Sequence, residues 1–345
     1  MSTAVVTPNK LEQLDKVLSK CERLLILVHD YPDPDAIASA MMLSYLVGNR
    51  YNLRHRIAFG GHISRAENRA MVQQLQIKLT TIGRIRWHLY PCVALVDTQP
   101  GFGNNSLPDK IQPTIIIDHH KEQNTVQAPF VDIRTTYGAT STILLEYLKQ
   151  AGLEITSEIA TAVTYAIRSE TQELGREASQ ADITAYLEVY PKANKRKLAK
   201  IQNPKLAKNF FIVLHSALEK AKIFKHLIHV HLGRIDSPEF VPQIADLLLQ
   251  HERIGWAIAT GRYDNQLFIS MRCSHPKADA GNMLSQIIGS MGYAGGHDMI
   301  AGGRIPFRQG KDHEWQRLED VLIARFLKKL GYPKKVDWKP LLMKN

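Results

Sequence analysis

Five side chains stand out for what they could bind. His29, Asp33 and Asp35 lie in HDYPDPDAIASA (residues 29–40), Asp97 in VDT, and His119 in DHH. All are carboxylates or imidazoles, with no thiolate among them. Such donors suit Mn²⁺ or Mg²⁺, and suit Zn²⁺, Fe²⁺ or Co²⁺ less well. Carboxylates packed together repel each other, and a divalent cation is the simplest relief. Five or six such ligands exceed the needs of one ion. They point to two ions about 3.5–4 Å apart that share a carboxylate and a hydroxide, an arrangement suited to in-line attack on phosphorus. Each residue also has an ordinary reading. Asp33 or Asp35 could cap a helix, Asp97 could be a plain strand-end aspartate, and His119 and His120 could be satisfied buried histidines. The combination, rather than any one residue, favours a metal site.

These residues need a scaffold that brings them together. LLILV (24–28) reads as a short buried strand, apolar on both faces. CVALVD (92–97) and TIIIDHH (114–120) repeat the pattern of an apolar run that ends in charge. RHRIAFG (54–60) is a further strand. Residues 35–48, 64–75, 138–151 and 155–168 carry helical periodicity, and the second of these opens on a Ser64–Glu67 capping box. Strands alternating with helices predict an α/β fold, a mostly parallel sheet with helices on both faces. The carboxyl ends of parallel strands share one edge, where open sheets bind ligands. His29, Asp97 and residues 118–120 are thereby predicted to meet.

The pattern changes after residue 190. Residues 191–208 hold seven Lys or Arg and no acid, and read as a solvated basic linker or helix face. A helix over 204–224 follows, then strands over 226–233, 255–264 and 265–274. The last two form a hairpin about Asp264–Asn265. Helices over 280–291 and 316–330 complete a smaller mixed α/β domain. The expected division is 1–190, a linker over 191–208, and 209–345. The net charge of +11 attracts polyanions without identifying one. Cys21, Cys92 and Cys273 are scattered and odd in number. They read as no disulfide framework, which favours a reducing compartment. The N-terminus lacks the apolar core of a signal peptide, and no apolar run nears the ~20 residues that span a bilayer. The expectation is a cytoplasmic protein.

HDYPDPDA fits the motif H-x-x-P-D-x-D-A, and VDT and DHH fit the two motifs that accompany it. ISMRCS (269–274) and AGGHDMIAGG (294–303) follow in the second half. Together they resemble the DHH phosphoesterases with a DHHA1 substrate domain, over about residues 23–306. The layout looks most like the bacterial nano-RNase and pAp phosphatase branch. That resemblance implies a phosphoesterase using two Mn²⁺ ions, with Mg²⁺ or Co²⁺ as alternatives. It would hydrolyse short oligoribonucleotides, pAp or linear dinucleotides by metal-hydroxide attack on phosphorus. A cyclic dinucleotide such as c-di-AMP is the second substrate reading. A catalytically weakened nucleotide-binding protein is a third.

The resemblance also implies roles. His29 and Asp33 would hold one ion, Asp97 would bridge, and Asp35, Asp97 and His119 would hold the second. His120 would face the scissile phosphate, and Asp118 would orient a ligand histidine. The family's further ligand to the second ion is an aspartate, whereas AIRSETQELGR (166–176) places Glu170 there, one methylene longer. In the second domain Gly295 and Gly296 would let backbone N–H groups approach a phosphate. His297 would contact it and Arg272 would clamp it. The implied partners are short RNA or nucleotides, with no membrane and no stable long-DNA partner. A homodimer is left open.

Overall fold

The computed structural model describes residues 10–63, 65–121, 126–175, 178–275, 277–296, 299–307 and 310–342. Ser64, expected to open a capping box, lies outside them. The chain forms two compact units, divided between Lys205 and Leu206.

The first unit runs α1 (Lys10–Leu18), β1 (Arg23–Val28), α2 (Pro34–Tyr51), β2 (Arg54–Phe59), α3 (Ala66–Gln74) and β3 (Leu79–Thr81). It continues with β4 (Cys92–Val96), β5 (Ile115–Asp118), β6 (Phe130–Ile133), α4 (Thr140–Gln150), α5 (Ser157–Glu170), α6 (Gln180–Val189) and α7 (Lys195–Gln202). Its six strands are all parallel, in the order β3-β2-β1-β4-β5-β6. The winding direction therefore reverses between β1 and β4, and such a switch point opens a crevice at the carboxyl ends. β1 and β4 have neighbours on both sides and are buried on both faces. This is why RLLILV and CVALV are continuous apolar runs rather than alternating ones. Leu24, Ile26 and Val28 pack with Ile37 and Leu43 of α2, Ile143 of α4 and Val163 of α5. Leu25, Leu27, Val93 and Leu95 pack on the other face against Ile82, Trp87 and Ile111, which come from 3₁₀ turns and loops.

Two expectations change. Cys21 and Cys92 form a disulfide, with Cα atoms 5.9 Å apart. Cys21 stands just before β1 and Cys92 opens the adjacent β4, where it lies opposite Leu24. Strand adjacency pairs two residues 71 apart, which spacing alone does not show. Cysteine usage therefore no longer argues for a reducing compartment; Cys273 is free and buried. The basic stretch is helical rather than a linker over α7, which buries Leu198 and Ile201 in the first core. Its Lys197 pairs with Glu158 at 2.8 Å. Among the described residues no helix is long and apolar enough to cross a membrane.

The second unit runs α8 (Lys208–Lys220), β7 (Lys222–Phe224), β8 (Leu227–Arg234), α9 (Phe240–Leu249), β9 (Trp256–Tyr263), β10 (Gln266–Cys273), α10 (Ala280–Ile288), β11 (Tyr293–Gly296), β12 (Ile300–Pro306), α11 (Asp312–Lys329) and β13 (Lys339–Pro340). Its sheet has the order β11-β12-β10-β9-β8-β7-β13. Among the described residues only the β8–β9 pair is parallel. The β9–β10 turn places Asp264 and Asn265 at φ 46° and 56°, as a two-residue hairpin requires. The helix expected over 204–224 ends at Lys220, and its last residues form β7 instead.

Candidate metal centre

Register brings the three charged strand ends together. Val28 pairs with Val96, and Val96 with Ile117. The residues that follow, His29, Asp97 and Asp118, therefore emerge side by side at the switch point. Asp97 turns out of β4 with φ 60°, a left-handed conformation that aspartate tolerates better than most residues. Asp33 begins α2 as its N-cap. Its Oδ1 accepts the Ala36 N–H at 2.9 Å, and Pro34 opens the helix. The capping and metal-binding readings of Asp33 are compatible, since Oδ2 faces His29 Nε2 at 3.5 Å.

Two triads of ligand atoms result, His29–Asp33–Asp97 and Asp97–His119–His120. Asp97 belongs to both. Its Oδ2 lies 3.8 Å from His29 Nε2, and its Oδ1 lies 3.7 Å from His119 Nε2 and 3.8 Å from His120 Nδ1. His29 Nδ1 donates to the Asp30 carbonyl at 2.9 Å and His119 Nδ1 to the Tyr137 carbonyl at 3.2 Å. A carbonyl only accepts, so in the neutral ring Nδ1 carries the proton and the Nε2 lone pair is left to face the cluster. His119 Nε2 and Asp97 Oδ2 are buried with no hydrogen-bond partner. Orphaned and buried, with Asp97 Oδ2 toward His29 and His119 Nε2 toward Asp97 Oδ1, these atoms fit a divalent cation.

The electrostatics agree. Burial alone would lower the pKa of His29, but the charges of Asp33 and Asp97 raise it to about 10. Burial would likewise lower His120, but its 2.8 Å hydrogen bond to Asp118 and the Asp97 charge raise it to about 10. Burial and the Asp97 charge push Asp35 to about 7, and burial and the Asp33 charge push Asp97 to about 6. Burial, then Asp33, Asp35 and Asp97, hold Glu170 well above the ordinary glutamate value. Burial opposes ionisation of Asp33, but His29 outweighs it and holds that carboxyl well below the ordinary range. The cluster is short of positive charge.

Other residues hold the ligands. Asp118 accepts the His119 N–H at 2.8 Å and the His120 side chain, while Gln99 Nε2 donates to its other oxygen at 2.8 Å. Asp118 thus orients His120. Asp35 is fully buried and stands in neither triad. Its two oxygens accept the Thr140 and Ser141 amides at 2.7 and 2.9 Å, at the N-terminus of α4. The Thr140 hydroxyl donates to Asp97 Oδ1 at 2.8 Å. Gln99, Thr140 and Ser141 are missed by the sequence reading, although a helix opening on GATST (138–142) is a recognisable carboxylate seat. Asp30 accepts a hydrogen bond from Ser106 Oγ at 2.8 Å. Glu170, at the end of α5, feels the cluster's charges but joins neither triad.

The predicted phosphate-binding residues lie in the second unit. Gly295 and Gly296 end the edge strand β11. A Cβ at Gly296 would lie 2.2 Å from the Ile300 carbonyl, whereas a Cβ at Gly295 would meet open space. Arg272 is buried. Its Nε donates to Asp246, and its Nη1 to Ser270 Oγ at 2.7 Å and the Met271 carbonyl at 3.0 Å. A buried guanidinium needs such partners. His297 lies outside the described residues.

Residues 23–167 match the DHH family, N-terminal domain. This part of the chain carries a DHH domain. The DHH domain match spans all three charged strand ends and stops just before Glu170. An uncharacterized protein of Methanocaldococcus jannaschii is 34% identical over 331 residues, 93% of this chain and 66% of that protein. A probable manganese-dependent inorganic pyrophosphatase of Lactobacillus delbrueckii is 28% identical over 152 residues, 44% of this chain. The match spans about half, 48%, of that pyrophosphatase. The crystal structure of an exopolyphosphatase-related protein from Bacteroides fragilis superposes with a TM-score of 0.73 at 14% identity. It covers 95% of this chain and 99% of its own, and so shares the fold.

Proposed function

We propose that this protein hydrolyses phosphoester bonds of short nucleotide substrates, namely short oligoribonucleotides, pAp or linear dinucleotides, with two bound Mn²⁺ ions. The observation that carries the reading is Asp97, one carboxylate common to two ligand triads. The DHH domain match over residues 23–167 and a relative named as manganese-dependent support it. His29, Asp33 and Asp97 would hold one ion. Asp97 and His119 would hold the other, with Asp35 and Glu170 adding negative charge beside it. Bound there, the ions would supply positive charge against phosphoryl oxygens and a more acidic water. His120, whose Nδ1 meets Asp118 at 2.8 Å, would donate a hydrogen bond to the phosphate or the leaving oxygen. Gly295 and Gly296, on an exposed edge strand, are proposed to receive a terminal phosphate. Arg272 would join them only by exchanging its Asp246 pairing.

The test is turnover with Mn²⁺ of pAp, pApA, trinucleotide RNA, c-di-AMP, pyrophosphate and long single-stranded DNA. The proposal expects pAp, pApA and short RNA to be the best substrates. Activity confined to pyrophosphate would refute it. A second reading, nucleotide binding without turnover, is motivated by Glu170 standing outside both triads. Bound pApA recovered intact after prolonged incubation would establish it instead.

A further inference from the structure

We propose that Tyr31 is a stacking platform for a nucleobase of the substrate, and so favours nucleotides over base-free phosphates. The inference rests on the phosphoester reading above and names a recognition element for it. Tyr31 takes φ 58°, in the left-handed region that a bulky side chain rarely adopts. Such strain persists only where the surroundings over-determine it. Core packing does not account for it, because Tyr31 is 40% exposed.

The surroundings are built to hold the ring where it is. The Tyr31 N–H donates to the Gly60 carbonyl at 3.0 Å, and the Asp30 N–H to the Asn104 carbonyl at 2.6 Å. Gly60 makes room for the Asp30 carboxylate, from which a Cβ would lie 1.9 Å. Gly61 makes room for the ring itself, since a Cβ there would lie 2.7 Å from it. His62 meets the ring edge-on, with centroids 5.0 Å apart. An aromatic side chain is thus seated on glycine backbone, braced at its edge, and still open to solvent. It lies two residues from His29 and two from Asp33. Its Cα is therefore within about 7.6 Å of each of theirs, which suits a base whose phosphate sits at the metal centre. Every base offers a π face, so stacking selects nucleotides as a class rather than one sequence.

The experiment compares pApA with its abasic counterpart, the same sugar–phosphate chain without bases, at saturating Mn²⁺. The parent protein is expected to show a KM roughly 10- to 100-fold lower for pApA, the size of one base–aromatic stack. Tyr31→Asn removes the ring and suits the left-handed backbone. It is expected to raise KM for pApA by the same factor, to leave kcat within about twofold, and to leave the abasic substrate unaffected. Tyr31→Phe keeps the ring and should restore the parental KM. Equal KM values for the two substrates in the parent would overturn the inference while leaving the phosphoester reading intact. So would Tyr31→Asn weakening both substrates equally, or neither. A parent that hydrolyses pyrophosphate and no nucleotide would overturn both.

Discussion

Replacing Thr140 by valine removes one hydroxyl and little volume. That hydroxyl donates to Asp97 Oδ1 at 2.8 Å, and Asp97 Oδ2 has no hydrogen-bond partner. The variant would leave a carboxylate that is 1% exposed without its neutral donor. A hydrogen bond to a charged group contributes about 1.5–3 kcal/mol. Burial and the Asp33 charge already lift Asp97 to about 6, and losing the donor lifts it further. At pH 7 an entering cation would then compete with a proton on Asp97 and meet a less firmly oriented ligand. Both effects lower affinity, together by roughly 10- to 100-fold. The Thr140 amide still holds Asp35, so the α4 clamp survives. Calorimetric titration of the metal-free protein with Mn²⁺ reads the change directly. Thr140→Ser should stay within a few-fold of the parent, and saturating Mn²⁺ should return much of the turnover to Thr140→Val. A Thr140→Val affinity equal to the parent's would refute the claim that α4 tunes the site.

Three further outcomes are expected. In metal-free protein His29 and His120 are raised from 6.5 to about 10. Their stabilisation is therefore full below pH 6.5 and is lost as the pH climbs through 10. Asp35 and Asp97, raised from 3.8 to about 7 and 6, act in the same direction as they ionise. Thermal unfolding should show the metal-free protein losing stability between pH 6 and 10 while Mn²⁺ binds more tightly; a rising Tm over that window would contradict the assignment. Glu170→Gln removes a negative charge from beside Asp33, Asp35 and Asp97. It should weaken Mn²⁺ about tenfold, and unchanged or tighter binding in the same titration would exclude Glu170 from the site. The Cys21–Cys92 disulfide closes 71 residues. Loop entropy assigns it about 4 kcal/mol, so urea unfolding with and without reductant should differ clearly in midpoint, and coincident curves would count against the bond.

Much of the centre was legible because its geometry follows from strand order and polarity alone. Three apolar runs ending in charge had to share an edge once the sheet was parallel, and His29, Asp33, Asp97, His119 and His120 do converge there. What the sequence withheld depends on packing between distant elements. Asp35 is two residues from Asp33, yet its carboxylate is taken by α4, more than a hundred residues later. The Cys21–Cys92 pair needed the adjacency of β1 and β4, which spacing does not reveal. Arg272 read as an open clamp because Asp246, its partner on α9, is remote in sequence. The basic stretch left linker and helix face open, because only two buried residues, Leu198 and Ile201, mark α7 among so many lysines.

The central claim is that Asp97 joins two cations. Electron paramagnetic resonance of the protein loaded with Mn²⁺ tests it directly, because ions sharing a carboxylate are magnetically coupled and isolated ions are not. The account predicts two Mn²⁺ per chain with the signature of a coupled pair, and loss of that coupling in Asp97→Ala. A single ion, or two uncoupled ions, in the parent protein would contradict it.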